Sequence, residues 1–166
     1  DPYWPVRQAT ATSLGNFNQP QIVDYLKPLL DDKDEHVRQA AAASLGNFKT
    51  PEIPDLLKLL IKDSDWHVRQ AAATSLGNFN QPQAIDYLKP LLDDNYYQVR
   101  SAAIDSFGNF NNPQVVDFLI PKLKDPAWQV RQSAVTAVGH FDTPKAINAI
   151  SPSLNDSNLQ VRRAGI

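Results

Sequence analysis

Between residues 63 and 93 the apolar positions fall into two stripes separated by a short polar gap. Val68, Ala71, Ala72, Leu76 and Phe79 recur at three- and four-residue spacing, and the alanines among them have high helix propensity. The pattern predicts a helix over 63–78. Asp63 lies at or beside its N-cap, and Gly77 is placed to end it as a left-handed C-terminal stop. After the gap, Pro82 marks the first turn of a second helix with the stripe Ile85, Leu88, Leu91 and Leu92. Pro90 falls inside that stripe, where its missing N–H predicts a bend.

This two-helix phrase is copied along the chain. VRQAAATSLGNF at Val68 repeats as VRQATATSLGNF at Val6, VRQAAAASLGNF at Val37, VRSAAIDSFGNF at Val99, VRQSAVTAVGHF at Val130 and VRRAGI at Val161, always 31 residues apart. The punctuation repeats with it. Gly15, Gly46, Gly108 and Gly139 match Gly77; Pro20, Pro51, Pro113 and Pro144 match Pro82; Pro28, Pro121 and Pro152 match Pro90. In two copies a proline (Pro2, Pro126) follows the leading aspartate, at the expected first helical position. One hairpin cannot bury its apolar face alone, so neighbours must stack and share a core. The expectation is an all-α fold, an α-solenoid of stacked helical hairpins. A single domain, 1–166, divides into repeats 1–31, 32–62, 63–93, 94–124 and 125–155 with a partial repeat 156–166. The chain opens on Asp1 and stops inside the sixth copy. It reads as an excerpt of a longer protein or as an engineered sequence, with an uncovered end that would fray or stack end to end on a second copy.

An aspartate and an arginine recur in each copy: Asp1/Arg7, Asp32/Arg38, Asp63/Arg69, Asp94/Arg100, Asp125/Arg131 and Asp156/Arg162. With V-R-x-A-A-x-x-L-G and a proline-containing partner helix, they resemble the short HEAT-like repeats of the phycobilisome-lyase type. They are also similar to artificial HEAT-like binders built on a 31-residue consensus. The period is shorter than the ~40–47 residues of ordinary HEAT repeats. The resemblance implies a superhelix whose first helices line the concave side, with the Asp/Arg column as a ladder between successive loops. It also implies two alternatives to a simple scaffold: a phycobilin lyase subunit or related chromophore-handling protein, and an engineered repeat binder.

Composition narrows the chemistry. The hydrophobic content of 42% and charged content of 20% suit a folded globular chain. No apolar run is long enough to span a membrane and no signal-peptide pattern opens the chain, so a cytoplasmic protein without membrane contact is expected. Six of the seven arginines belong to the ladder column, the nine lysines are scattered, and the net charge is −2. Phosphate binding needs a clustered basic face, so nucleic acid is not an expected partner. Cysteine is absent, and no serine or threonine has a histidine and a carboxylate at an interpretable spacing. His36 and His67 share a column beside Glu35 and Asp65, but the third ligand of a metal site does not repeat. The expectation is therefore no enzyme, no cofactor and no metal.

Groups repeated in every unit serve the unit, which makes Asp32, Arg38, Asp63, Arg69, Asp94, Arg100, Asp125 and Arg131 a structural ladder. What varies is more informative. Opposite the buried face of the first helices runs a stripe with Trp4 and Gln8, then Glu35, His36 and Gln39, then Trp66, His67, Gln70 and Asn78. Tyr97, Gln98 and Asp105 continue it, followed by Trp128, Gln129, Gln132 and His140; Thr12, Asn16, Ala43, Asn47, Thr74, Ser101, Asn109 and Thr136 complete it. All three tryptophans share one column, with Tyr97 between them. The aromatics could be half-buried staples over the helix starts, although Glu35 and Leu159 occupy the same column. Large aromatics among neutral amides suit a protein or peptide partner, and Trp66 and Trp128 are its expected anchors.

Overall fold

The computed structural model describes residues 1–17 and 19–165. Its α-helices come in pairs: α1 (Trp4–Leu14) and α2 (Ile22–Leu26), α3 (Glu35–Leu45) and α4 (Ile53–Leu57), α5 (Trp66–Leu76) and α6 (Pro82–Leu88). They continue as α7 (Tyr97–Phe107) and α8 (Val116–Leu119), α9 (Trp128–Gly139) and α10 (Pro144–Ile150), then α11 (Leu159–Ala164). No strand occurs among the described residues. The odd-numbered helices pack on one another in sequence to form one layer, and the even-numbered helices cover its inner face. Between the layers runs a continuous core, from Ala11 and Leu26 through Leu45, Leu57, Leu76, Leu88 and Phe107 to Val138. This is the α-solenoid that the sequence periodicity predicts.

The first helices start later than the apolar pattern alone suggests. Asp63 does not cap α5; its Oδ1 accepts the Asp65 amide at 2.9 Å, closing a tight turn ahead of the helix. The N-cap is Asp65, which accepts from the amides of His67 and Val68. Asp34 and Asn158 cap α3 and α11 in the same way. Pro2 and Pro126 accordingly lie in the turn before the helix, not at its first residue.

The glycine column also has a different cause from the expected left-handed stop. Gly15, Gly46, Gly77 and Gly108 are right-handed, with φ between −60° and −63°. They are glycines because the next first helix lies against them. A Cβ on Gly77 would sit 2.6 Å from Ser106 Oγ and 2.9 Å from its Cα; on Gly15 it would meet Ser44 Oγ at 2.6 Å. The same serines hold the contact, since Ser44, Ser75 and Ser106 donate to the carbonyls of Ala11, Ala42 and Ala73, each at 2.9 Å. These serines recur with the same period, but recurrence alone does not show that they face the glycine of the preceding repeat.

The second helices change type at the proline column. Each changes after four to seven residues into a 3₁₀ turn: Lys27–Asp31, Lys58–Leu60, Lys89–Asp93, Ile120–Lys124 and Ser151–Asn155. Pro28, Pro90, Pro121 and Pro152 are the second residues of four of these turns, where an N–H is not needed. The remaining turn has Leu59 in the proline column and forms all the same. Proline therefore fits the change of helix type without being its general cause. Pro82 and Pro144 do open α6 and α10, whereas Pro20 and Pro51 precede their helices by two residues and Pro113 opens a 3₁₀ turn, Pro113–Val115.

In the Asp/Arg column each ladder arginine takes the carboxylate of the next repeat's aspartate and only the backbone carbonyl of its own repeat's aspartate. Arg69 Nε and Nη2 clasp the Asp94 carboxylate at 2.7 and 2.9 Å, while Nη1 donates to the Asp63 carbonyl at 2.8 Å. Arg7, Arg38, Arg100 and Arg131 clasp Asp32, Asp63, Asp125 and Asp156 in the same two-pronged way. The Arg69 and Asp94 side chains are 11% and 9% exposed, so the pair is largely shielded from water. Arg69→Ala would leave the Asp94 carboxylate without its cation. The expected cost is about 3–5 kcal/mol, read as a lowered melting temperature by circular dichroism.

The ladder aspartates also set an acid limit. For Asp32 the Arg7 bond is the main cause of a lowered carboxyl pKa. For Asp63, Asp94 and Asp125 burial pulls the pKa up, but the arginine bond and the turn amide together overcome it. Asp156 is lowered to about 2, mainly by its bond to Arg131. A folded-state pKa below the unfolded value adds stability above the unfolded pKa, near 4, and that stability disappears as pH falls through the folded value. Thermal stability should therefore decline between about pH 4 and pH 2, and Arg131→Gln should lower stability above pH 4 while making that decline smaller.

Glycine packing gives a paired expectation. Gly77→Ala must push α5 and α7 apart and should cost about 1–3 kcal/mol by overpacking. Gly139→Ala, where an added Cβ meets nothing within 4 Å, should be neutral or stabilising by up to about 1 kcal/mol. Urea titration of the two variants checks the contrast.

Candidate functional site

Two constraints shape the outer face of the first-helix layer. Gly–Ser contacts fix how closely the helices approach, and the arginine ladder fixes their longitudinal register. Across α5, α7 and α9 this face encloses an open cavity of about 500 Å³. Gln70, Thr74 and Asn78 line one wall, and Gln129, Gln132 and Ser133 line the other. Tyr97, Gln98, Ser101, Ala102, Asp105, Ser106 and Asn109 make the floor.

Of the sequence-predicted groove residues, Gln70, Asn78, Tyr97, Gln98, Asp105, Gln129 and Gln132 are brought together here. Trp4, Gln8, Glu35, His36 and Gln39 belong to α1 and α3 and lie outside the cavity. Trp66, His67 and Trp128 start α5 and α9 at one rim, and His140 follows α9 at the other end. Ala102, Ser106 and Ser133 complete the lining without having been singled out; they flank the variable stripe by one position.

The aromatic column is divided between exposure and packing. Trp4, Tyr97 and Trp128 are about one-third exposed, at 38%, 38% and 36%. Trp66 is half-buried, stacks on His67 at 3.6 Å between centroids and reaches Tyr96 of the next repeat at 5.7 Å. Trp4 stacks on His36, also of the next repeat, at 4.4 Å. These stacks brace successive repeats along one edge as a staple would, while leaving ring area in solvent.

Amides carry part of the same bracing. Asn47, Asn78 and Asn109 donate to the carbonyls of Gly15, Gly46 and Gly77, and His140 Nδ1 lies 3.2 Å from the Gly108 carbonyl. The glutamines Gln70, Gln98, Gln129 and Gln132 are half-buried in the cavity and can both donate and accept. Ser101 Oγ is buried and has no hydrogen-bond partner.

Asp105 is the one carboxylate in the lining, and no lysine or arginine shares it. Asp105 is exposed at the cavity mouth, but the surrounding walls desolvate it in part and hold its carboxyl above the usual range; the Ser133 hydroxyl opposes this. Among the described residues it makes no ion pair. His36 and His67 instead turn Nδ1 to Asp34 and Asp65, the caps of their own helices, at 3.1 and 3.2 Å. Asp34, Glu35 and His36 bring three donor atoms within 4.8 Å of one another at an exposed helix start, outside the cavity.

Comparison with known proteins follows from this geometry. The family model for HEAT repeats matches residues 1–60, 53–106 and 90–166. No curated protein matches the sequence. Among solved structures, the CpcE–CpcF complex of phycocyanin lyase from Nostoc sp. PCC7120 superposes with a TM-score of 0.76 at 22% identity, over 99% of this chain and 70% of that one. YibA of Escherichia coli superposes with a TM-score of 0.79 at 22% identity, over 99% of this chain and 64% of that one, so this chain spans just under two thirds of its length. A designed armadillo repeat protein in complex with the peptide (KR)4 gives a TM-score of 0.66 at 19% identity, over 95% and 88%. At such identities the likeness is one of fold, and a shared fold does not fix function. Stacked helical hairpins with one continuous core, matched along the chain by one family model, place this protein in the HEAT-repeat family.

Proposed function

We propose that the chain is a non-enzymatic scaffold that binds an extended segment of a protein partner in the concave groove of its first helices. The observation that carries this reading is the row of glutamines from three successive helices around one open cavity. Neighbouring helices stand ~8–10 Å apart. An extended chain advances ~3.3 Å per residue, so about every third residue meets the next repeat. Amide side chains satisfy both the N–H and the C=O of such a backbone without demanding one side-chain sequence. The aromatic rim of Tyr97 and Trp128 supplies apolar contact at the edge. A bilin suits the cavity less well, because its carboxylates would face Asp105 with no cation in the lining.

Affinity capture from lysate with the wild-type chain, followed by calorimetry on the captured protein, tests the proposal. Gln98→Ala with Gln132→Ala should weaken binding at least about tenfold, or ~1.4 kcal/mol. Trp128→Ala should cost about 2 kcal/mol as an exposed aromatic anchor. Lys27→Ala, on the opposite layer, should leave affinity unchanged. Loss at Lys27 with normal binding by the groove variants would move the site to the other face. A stoichiometric absorbance change with free bilin, abolished by the glutamine pair, would favour the chromophore reading.

A further inference from the structure

We infer that the groove selects a partner segment carrying an arginine side chain, whose guanidinium pairs with Asp105. This rests on the groove being the binding face, and it names the chemistry that the groove takes.

The charge distribution is the first argument. Each aspartate of the ladder from Asp32 to Asp156 is met by an arginine fork. Asp105 is acidic too, but it sits in the middle of the proposed site with neutral neighbours and no cation. A carboxylate that loses part of its hydration and gains one hydroxyl but no cation has its ionised form left under-stabilised. A cation arriving from outside removes that disadvantage, whereas an anion or an apolar side chain deepens it. The elevated carboxyl pKa of Asp105 reports the same desolvation.

The surroundings favour guanidinium over ammonium. Besides the Ser133 hydroxyl at Asp105, the cavity lining offers the carbonyl oxygens of Gln132 on the facing helix and of Gln98 two turns earlier on α7. A planar group with five N–H donors can use a carboxylate and several separated acceptors together. It is also more weakly hydrated than an ammonium, so entering a half-enclosed cavity costs it less. Tyr97 lies two turns earlier on α7, ~12 Å along the axis. That spacing matches residues about four apart in an extended chain, which allows the ring to contact the same segment.

Pairing requires an ionised Asp105. The other titratable group in the cavity is the Tyr97 phenol. On the facing helices, Gln70, Thr74, Gln129, Gln132 and Ser133 do not titrate in the acid range, and His140 is turned to the Gly108 carbonyl. Affinity for the cationic segment should therefore fall as pH drops through the raised pKa of Asp105.

The test is an NMR titration of the isotope-labelled chain with three probes. One is an acetylated, amidated serine nonapeptide with a central arginine; the second carries citrulline, a neutral isostere, in its place; the third is free arginine amide. The arginine peptide should shift the signals of Gln98, Ser101, Asp105 and Gln132 and bind at least tenfold tighter than the citrulline peptide. Asp105→Asn should erase that preference. Asp24→Asn, an equal charge change on the opposite layer, should preserve it. The preference should also fade on acidification from pH 7 to pH 4.5. Equal binding of both peptides, retention of the preference in Asp105→Asn, or no binding by either peptide would overturn the inference. Free arginine amide binding as tightly as the peptide would overturn the extended segment. Both peptides shifting the groove equally would remove the arginine and leave the groove in place. A captured partner indifferent to the Gln98/Gln132 variant would remove the groove itself.

Discussion

A guanidinium offers five N–H donors in one plane, and each ladder arginine divides them between two repeats. Two go to the carboxylate of the following repeat, while Nη1 turns to carbonyls of its own loop, as Arg69 does with Asp94 on one side and Asp63 and Ser64 on the other. The same carboxylate also accepts the amide two residues on, Tyr96 in the case of Asp94, which folds the turn leading into the next first helix. One aspartate thus ties three things together: the preceding arginine, the turn, and the point where a helix begins. Because the fork tolerates little sliding, it fixes how far each helix is displaced along its neighbour. Everything placed along the first-helix face inherits that register.

Helix separation has its own determinant. Glycines at the ends of the first helices admit the next helix to within contact of a serine, and the serine hydroxyl turns that approach into a hydrogen bond. Asparagine side chains one residue past the glycines repeat the clasp at the layer's edge. The second-helix layer is tied across repeats as well, by Tyr87 to Asp55 and Lys122 to Asp93, with Lys89 over the Phe118 ring. Both layers are thus tied from repeat to repeat, and the ties of the first-helix layer hold the walls of the open cavity in place.

The two kinds of aspartate in this chain show how environment decides chemistry. In the ladder, burial comes with a guanidinium and an amide, and the net effect favours the ionised form. In the groove, Asp105 meets desolvation with a single hydroxyl, and the net effect opposes ionisation. Ladder pairing is complete within the chain and serves stability. Under the proposed binding role, groove pairing is left for whatever enters, and a groove built largely of neutral amides could then still discriminate by charge.

The sequence by itself determined the solenoid, because hydrophobic spacing of three and four fixes helices and exact copying of that spacing leaves stacking as the way to bury them. It also determined which face varies, and all four of the cavity's glutamines with Asp105 were legible as positions opposite the buried face. Tertiary structure decided everything that depends on who stands next door. The carboxylate that Arg69 clasps is that of Asp94, 25 residues on, whereas the nearer Asp63 offers it only a backbone carbonyl. Gly77 is needed for Ser106, not for a left-handed turn. Leu59 allows the same 3₁₀ turn as the prolines in its column. Trp66 is braced by Tyr96, so the aromatic column is less uniform than its spacing implied. Periodicity records that a residue repeats; only contacts between neighbouring repeats reveal which group on the next helix it repeats for.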